Sequence, residues 1–302
     1  MSILNRPSDG LLSVLLALRR ALIAYGPQTA DRLIDLCAPP KSDALGKTDM
    51  ARKTLTRWTQ LGFFKDDEGV IKLAPAVKKI ATDDLNALRS WLLRLVLLPE
   101  NNPTLAAERD EEEDDKAEKS KAADFATAAS WALAQDVYSF IHSYPAVEKL
   151  VSSQRITLKV FSNDTRWSGF VEWAPFLGLG IQTAKVGLVL NPFFAVWSVL
   201  NEVFEGASEL PQDIFLFRLA QTLPVIEGGQ YRQTVDAATG QPWHVLQAHQ
   251  VSPCLSVALQ TLVDMKVLRL ESRSDALLRV LLGREGRERG YRFSHVIRLE
   301  AA

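Results

Sequence analysis

Between Ser8 and Leu73 apolar residues recur with helical spacing three times and then switch to the alternation of a hairpin, and few small folds accept that order. Ser8-Asp9 predicts the cap of a helix whose stripe is Leu11, Leu12, Leu15, Leu16, Leu18, Ala21 and Leu22, ending near Tyr25-Gly26-Pro27. A short second helix opens at Pro27 or Thr29, carries Leu33, Ile34 and Cys37, and stops at Pro39-Pro40. Thr48 caps a third, Asp49–Leu61, with Met50, Leu55, Trp58 and Leu61 on one face. Phe63-Phe64-Lys65 and Val70-Ile71-Lys72-Leu73 then flank Asp66-Asp67-Glu68-Gly69 as a hairpin. Helix, helix, polar helix and hairpin are the parts of a winged helix-turn-helix, expected over residues 8–75 within an N-terminal domain of 1–80.

The outward face of the third helix offers Arg52, Lys53, Thr56, Arg57 and Gln60, with Lys47 just before it. Arginine forks suit guanine or phosphate, and glutamine pairs with adenine, so these residues are the expected contacts to double-stranded DNA. The hairpin tip points the other way. Asp66, Asp67 and Glu68 repel phosphate, which keeps open a module that binds protein instead.

Net charge is −1 over 302 residues, which argues against a protein that coats nucleic acid indiscriminately. Its distribution is uneven: residues 1–80 hold 13 Lys/Arg against 8 Asp/Glu, residues 101–120 hold 3 against 8. The second stretch, centred on the run Glu108 to Lys116, reads as a solvated linker after a helix over Thr82–Leu98, together 81–122. A mixed α/β middle domain is expected at 123–206. Its helix starts at Asp124 and runs toward Ile141, a strand spans Ile156–Phe161 with a hairpin partner at Trp167–Trp173, and a further strand covers Val186–Leu190. Trp167, Trp173 and Trp197 are expected in the core. Phe176–Leu200 is apolar for about the length of a membrane span, but Gln182, Lys185, Asn191 and Pro192 break it, so no membrane association is expected.

The last third, 207–302, repeats the N-terminal plan. A helix capped by Ser208 runs to Leu223, a second starts at Ser252-Pro253, and strands follow at Val267–Leu270 and Tyr291–Leu299. A second winged helix is expected there, its long wing carrying Arg284, Arg287, Arg289 and Arg292 as phosphate contacts. The whole chain is then mainly α with small β elements, an α+β protein.

No chemistry-bearing motif appears. The histidines His142, His244, His249 and His295 form no HxH or HExxH pattern, and Cys37 and Cys254 stand alone, so neither a metal nor a disulfide is expected. Gly178-Leu179-Gly180 lacks the remainder of a dinucleotide loop, and neither GxxxxGK[ST] nor GxSxG occurs. The expectation is a protein with no catalytic residue and no cofactor. Arg19-Arg20 directly after the apolar Leu11–Leu18 stretch, where a leader would carry small residues, points to the cytoplasm.

Leu4-Asn5-Arg6-Pro7-Ser8-Asp9-Gly10-Leu11, leading into Leu15-Leu16-Ala17-Leu18, together with the overall length, resembles the DpdG-type proteins of bacterial 7-deazaguanine DNA-modification and restriction clusters. The resemblance carries no catalytic residue across. It implies an accessory protein of a phage-defence system, whose helicase or nuclease partners supply the catalysis. A protein-binding scaffold and a one-component transcription regulator are the alternatives.

Overall fold

The computed structural model describes residues 3–4, 11–37, 47–106, 121–138, 143–184, 187–240 and 246–299. It is mainly α with small sheets, as expected, and divides into two compact units. The first comprises Met1–Phe125 and Phe161–Trp173; the second comprises Ala126–Val160 and Ala174–Ala302. The acidic run at 108–116 lies outside the described residues.

In the first unit the chain forms α1 (Leu12–Tyr25), β1 (Gln28–Thr29), α2 (Ala30–Cys37), α3 (Lys47–Leu61), β2 (Phe64–Asp67) and β3 (Val70–Leu73). The strands make an antiparallel sheet in the order β1-β3-β2, with Thr29 opposite Val70 and Phe64 opposite Leu73. Gln28 and Thr29 therefore belong to a strand and not to the start of the second helix. The Thr29 hydroxyl instead accepts the Arg32 amide at 3.4 Å, so its capping chemistry acts one residue beyond its own strand. Leu15, Leu18 and Leu22 of α1, Leu33 and Ile34 of α2, and Leu55, Trp58 and Leu61 of α3 are buried together with Ile71. Trp58 is their hub. Its ring lies 5.2 Å from that of Trp173 and 5.8 Å, edge-on, from Phe63, which in turn meets Phe64 at 4.8 Å and Trp91 at 5.8 Å.

Two buried polar clamps close the unit behind the hairpin. The Arg19 guanidinium donates to the carbonyls of Ile80, Ala81 and Thr82 at 2.9–3.2 Å, fixing the chain after α4 (Pro75–Lys78). In α5 (Leu85–Leu97), Asp84 accepts the Ala87 amide at 2.8 Å, which places the helix start past the expected Thr82. Buried Asn101 then donates to both Leu61 O and Leu95 O, tying the ends of α3 and α5 together before α6 (Pro103–Ala106).

The stretch expected as a hairpin is helical. Asn163 Oδ1 accepts the Arg166 amide at 3.0 Å and starts a helix over Asp164–Phe176. Trp167, Phe170 and Trp173 recur at helical spacing and are buried, whereas the alternation read from Trp167, Val171 and Trp173 leaves Phe170 on the opposite face. Ile156 makes only an isolated bridge to Thr239. In chain order this helix is α9, after α7 (Ala123–Ala134) and α8 (Tyr144–Ser153).

The second unit repeats the first plan with insertions. After the pair β4 (Gly180–Thr183) and β5 (Gly187–Leu190) come α10 (Phe193–Phe204), β6 (Glu209–Pro211) and α11 (Gln212–Thr222). Next are α12 (Gln230–Ala237), β7 (Gln250–Val251), α13 (Pro253–Asp264), β8 (Leu268–Glu271), β9 (Arg279–Leu282), β10 (Glu288–Phe293) and β11 (His295–Arg298). The expected helix from Ser208 begins only at Gln212, because Pro211 holds Leu210 extended and Glu209–Pro211 pairs with β11. One sheet runs β6-β11-β8, the same first-third-second order as β1-β3-β2. Another, β7-β9-β10, comes from the insertions.

Trp58 is fully buried and packs against two buried aromatics, Phe63 and Trp173, so Trp58→Ala is expected to destabilise the first unit by about 3–5 kcal/mol and Trp58→Phe by clearly less. Urea unfolding followed by far-ultraviolet circular dichroism measures both.

Candidate nucleic-acid interface

Helix α3 divides along its length. Ala51, Thr54, Leu55, Arg57, Trp58 and Leu61 are buried, while Arg52, Lys53, Thr56 and Gln60 are exposed. Residues 52, 56 and 60 follow one another at four-residue steps and 53 lies beside them, so the four form a continuous strip. Arg52 is fastened across to α2: its Nη2 donates to Asp31 Oδ1 at 2.7 Å. The Gln60 carbonyl, near the helix C-terminus, accepts Lys121 Nζ at 2.7 Å. The side chain of Lys47 lies outside the described residues.

Arg57 is the correction. It was expected on the outward face and is 1% exposed. Its Nη1 donates to Gln60 Oε1 at 3.3 Å, and its charge reaches Asp124, whose Oδ2 accepts Leu4 N at 3.2 Å and Arg166 Nη1 at 3.1 Å. Burial pushes the Asp124 carboxyl up to about 6, against the pull of Arg166, the Leu4 and Phe125 amides and Arg57. Nothing within α3 marks Arg57 as internal, because its partner is 67 residues further along the sequence.

The hairpin tip is acidic and exposed. Glu68 and Gly69 take positive φ of 53° and 85°, Asp66 Oδ1 accepts the Gly69 amide at 2.9 Å, and Lys72 pairs with Asp67, holding that carboxyl below its usual range. The tip offers phosphate no favourable field.

In the second unit the helix equivalent to α3 is α13, and its character is opposite. Pro253, Cys254, Leu255, Ser256, Ala258, Leu259 and Leu262 are all buried. Ser256 Oγ accepts the Leu282 amide at 2.9 Å and donates to Val251 O at 3.0 Å, so β7 and β9 are stitched to the helix. At its start, Glu227 accepts the Ser252 amide at 2.6 Å, so a carboxylate of the chain itself occupies the anion position of the helix N-terminus. Of the four arginines expected on the long wing, Arg284 and Arg287 are 77% and 83% exposed and share Glu285, Arg292 pairs with Glu288 at 3.4 Å, and Arg289 lies 5.7 Å over the Tyr138 ring while donating to its hydroxyl. The first three remain on the surface; Arg289 is engaged.

A family model described as DpdG-like matches residues 1–276. The chain belongs to the DpdG-like family. The resemblance read from its opening residues is thereby upheld, whereas no curated protein and no solved structure matches the chain.

Two further features of this DpdG-like chain bear on its chemistry. Ser294 Oγ lies 2.9 Å from His295 Nδ1, and His295 Nε2 lies 3.9 Å from Glu209 Oε1. These are the residue types of an acyl-transfer triad, but Ser294 is 2% exposed and its hydroxyl accepts the Arg273 amide at 3.0 Å, so it staples the break between β10 and β11. Trp197 is 42% exposed, unlike Trp167 and Trp173, which are in the core as expected. Among the described residues no group of three or more His, Cys, Asp or Glu is placed to hold a metal ion, and no helix is long and apolar enough to cross a membrane.

Because the folded chain holds the Asp124 proton more tightly than the unfolded chain does, this group favours the folded state below about pH 4 and loses that advantage as pH rises to about 6. Asp124→Asn cannot lose it. The urea midpoint of wild type relative to Asp124→Asn is expected to fall between pH 4 and pH 6.5 and then level off.

Proposed function

We propose that this chain is a non-catalytic accessory protein of a 7-deazaguanine DNA-modification and restriction system, contacting duplex DNA through an N-terminal winged helix-turn-helix. Membership of the DpdG-like family associates it with 7-deazaguanine DNA modification. The observation that carries the reading is the divided third helix: Arg52, Lys53, Thr56 and Gln60 are exposed on one side, while Leu55, Trp58 and Leu61 anchor the other. A helix held this way by its apolar face presents the donors and acceptors that phosphates and base edges require. The order α1-β1-α2-α3-β2-β3 with its three-stranded sheet supports the winged-helix assignment.

The second unit repeats that order, but with an apolar, covered α13 it does not read DNA through its third helix. It serves as an organising module, to which Arg284 and Arg287 add phosphate contacts. Catalysis comes from partner proteins of the same cytoplasmic defence system, a helicase or a nuclease being the chemistry required to act on DNA. One observation favours a second reading, a scaffold that grips protein: the exposed carboxylates Asp66, Asp67 and Glu68 at the hairpin tip.

Arg52→Glu combined with Lys53→Glu is expected to lower duplex affinity at least about tenfold in 100 mM salt and to reduce the slope of log affinity against log salt by about 1. Fluorescence anisotropy with a labelled duplex measures both quantities. Unchanged affinity in the double variant would remove α3 as the DNA surface and leave the scaffold reading.

A further inference from the structure

The Arg52–Asp31 pair bears on what α3 reads. The two side chains are 53% and 81% exposed and bond at 2.7 Å, so a bare carboxylate stands at the edge of the strip beside its arginine. A phosphate brought to Arg52 meets that carboxylate and is repelled, whereas the edge of a base carries no net charge and is not. Asp31 also occupies one nitrogen of the fork and restricts its rotation, leaving further N–H donors on a guanidinium whose ordering is already done. The acceptor pair that matches such a fork in the major groove is O6 and N7 of guanine.

Guanine and 7-deazaguanine differ at that point. In 7-deazaguanine a carbon replaces N7, so the base keeps O6 but loses the second acceptor, and any substituent on the carbon projects into the major groove. We propose that Arg52, positioned by Asp31, reads the O6/N7 edge of guanine, so that the chain prefers unmodified duplex DNA to DNA carrying 7-deazaguanine. This rests on the DNA-contacting reading of α3. It gives the accessory protein a specific task within a modification system: marking DNA that lacks the modification for the partner enzymes.

The test uses the full-length protein and three duplex pools of one randomised sequence set, synthesised with guanine, with 7-deazaguanine, or with hypoxanthine, which keeps O6 and N7 but lacks the minor-groove amino group. Anisotropy titrations are expected to show the guanine and hypoxanthine pools bound about tenfold more tightly than the 7-deazaguanine pool. Arg52→Ala is expected to bring the guanine pool down to the affinity of the 7-deazaguanine pool, and Asp31→Asn, which opens Arg52 to phosphate, to narrow the gap while raising the salt slope. Equal binding of the guanine and 7-deazaguanine pools by wild type, or tighter binding of the latter, overturns the inference and leaves DNA contact standing. Full discrimination by Arg52→Ala overturns the assignment to Arg52, and binding to none of the pools overturns both this inference and the proposed function.

Discussion

The packing of Trp58 is the contact on which the rest of the first unit depends. A fully buried indole in the middle of α3 meets Phe63 at the start of the hairpin and Trp173 on α9, and through Phe63 the cluster reaches Trp91 on α5. The steep edge contact to Phe63 at 76° and the tilted contact to Trp173 at 36° together fix the rotation of α3 about its own axis, not merely its depth. Rotation is what the proposed DNA-contacting role of α3 needs fixed, because a turn of about 100° replaces one set of outward side chains with the next. With Trp58 inward, Arg52, Thr56 and Gln60 are outward by geometry. The carbonyl at the end of α3 is held by the Asn101 amide, which resists sliding along the axis as the tryptophan resists rotation.

Comparing the two units shows how one chain order serves different ends. Both put the first strand of a three-stranded sheet after the opening helix and the other two strands after the later helices, with the strands ordered first-third-second. The difference lies in which residues the third helix carries and what was inserted around it. In α13 the buried set Pro253, Cys254, Leu255, Ser256, Ala258, Leu259 and Leu262 covers most of the helix, and its less buried side carries Val257, Gln260 and Thr261 in place of arginine and lysine. The insertions supply the cover: β7 arrives before the helix, β9 and β10 lengthen the wing after it, and Ser256 binds to both additions. Glu227 then fills the N-terminal anion position from within.

Much of this was legible in the sequence where the signal was local. The third helix, the hairpin at Asp66–Gly69, the helix after Ser252-Pro253 and the strands near Val267 and Tyr291 follow from capping residues, turn residues and periodicity within a few positions of one another. What escaped was decided at long range. Two-residue β1 has no periodicity to find and exists because Val70 and Ile71 are opposite it. The helix at Asp164–Phe176 was obscured because Trp167, Val171 and Trp173 also alternate, and Phe170 together with the Asn163 cap discriminates the helix. Arg57 has the side chain of a surface residue, and its burial is explained by Asp124 and Gln60 together. In the candidate site the residue types of Arg52, Lys53, Thr56 and Gln60 were visible, but the bond from Arg52 to Asp31 was not.

That bond also bears on the apparent contradiction between an acidic hairpin tip and a helix proposed to read DNA. A protein that grips the phosphate backbone at several points is insensitive to the bases and needs a basic wing and a strong net charge. The first unit has no basic wing and the chain no strong net charge: net charge is −1, the hairpin tip carries Asp66, Asp67 and Glu68, and Arg52 shares its charge with Asp31. Few phosphate contacts mean modest general affinity, and modest general affinity raises the share of the binding free energy that depends on base identity. Acidic groups around α3 therefore do not argue against DNA contact as such. They disfavour indiscriminate contact, and a protein working beside a DNA-modifying system has use for a contact that depends on the chemistry of the base.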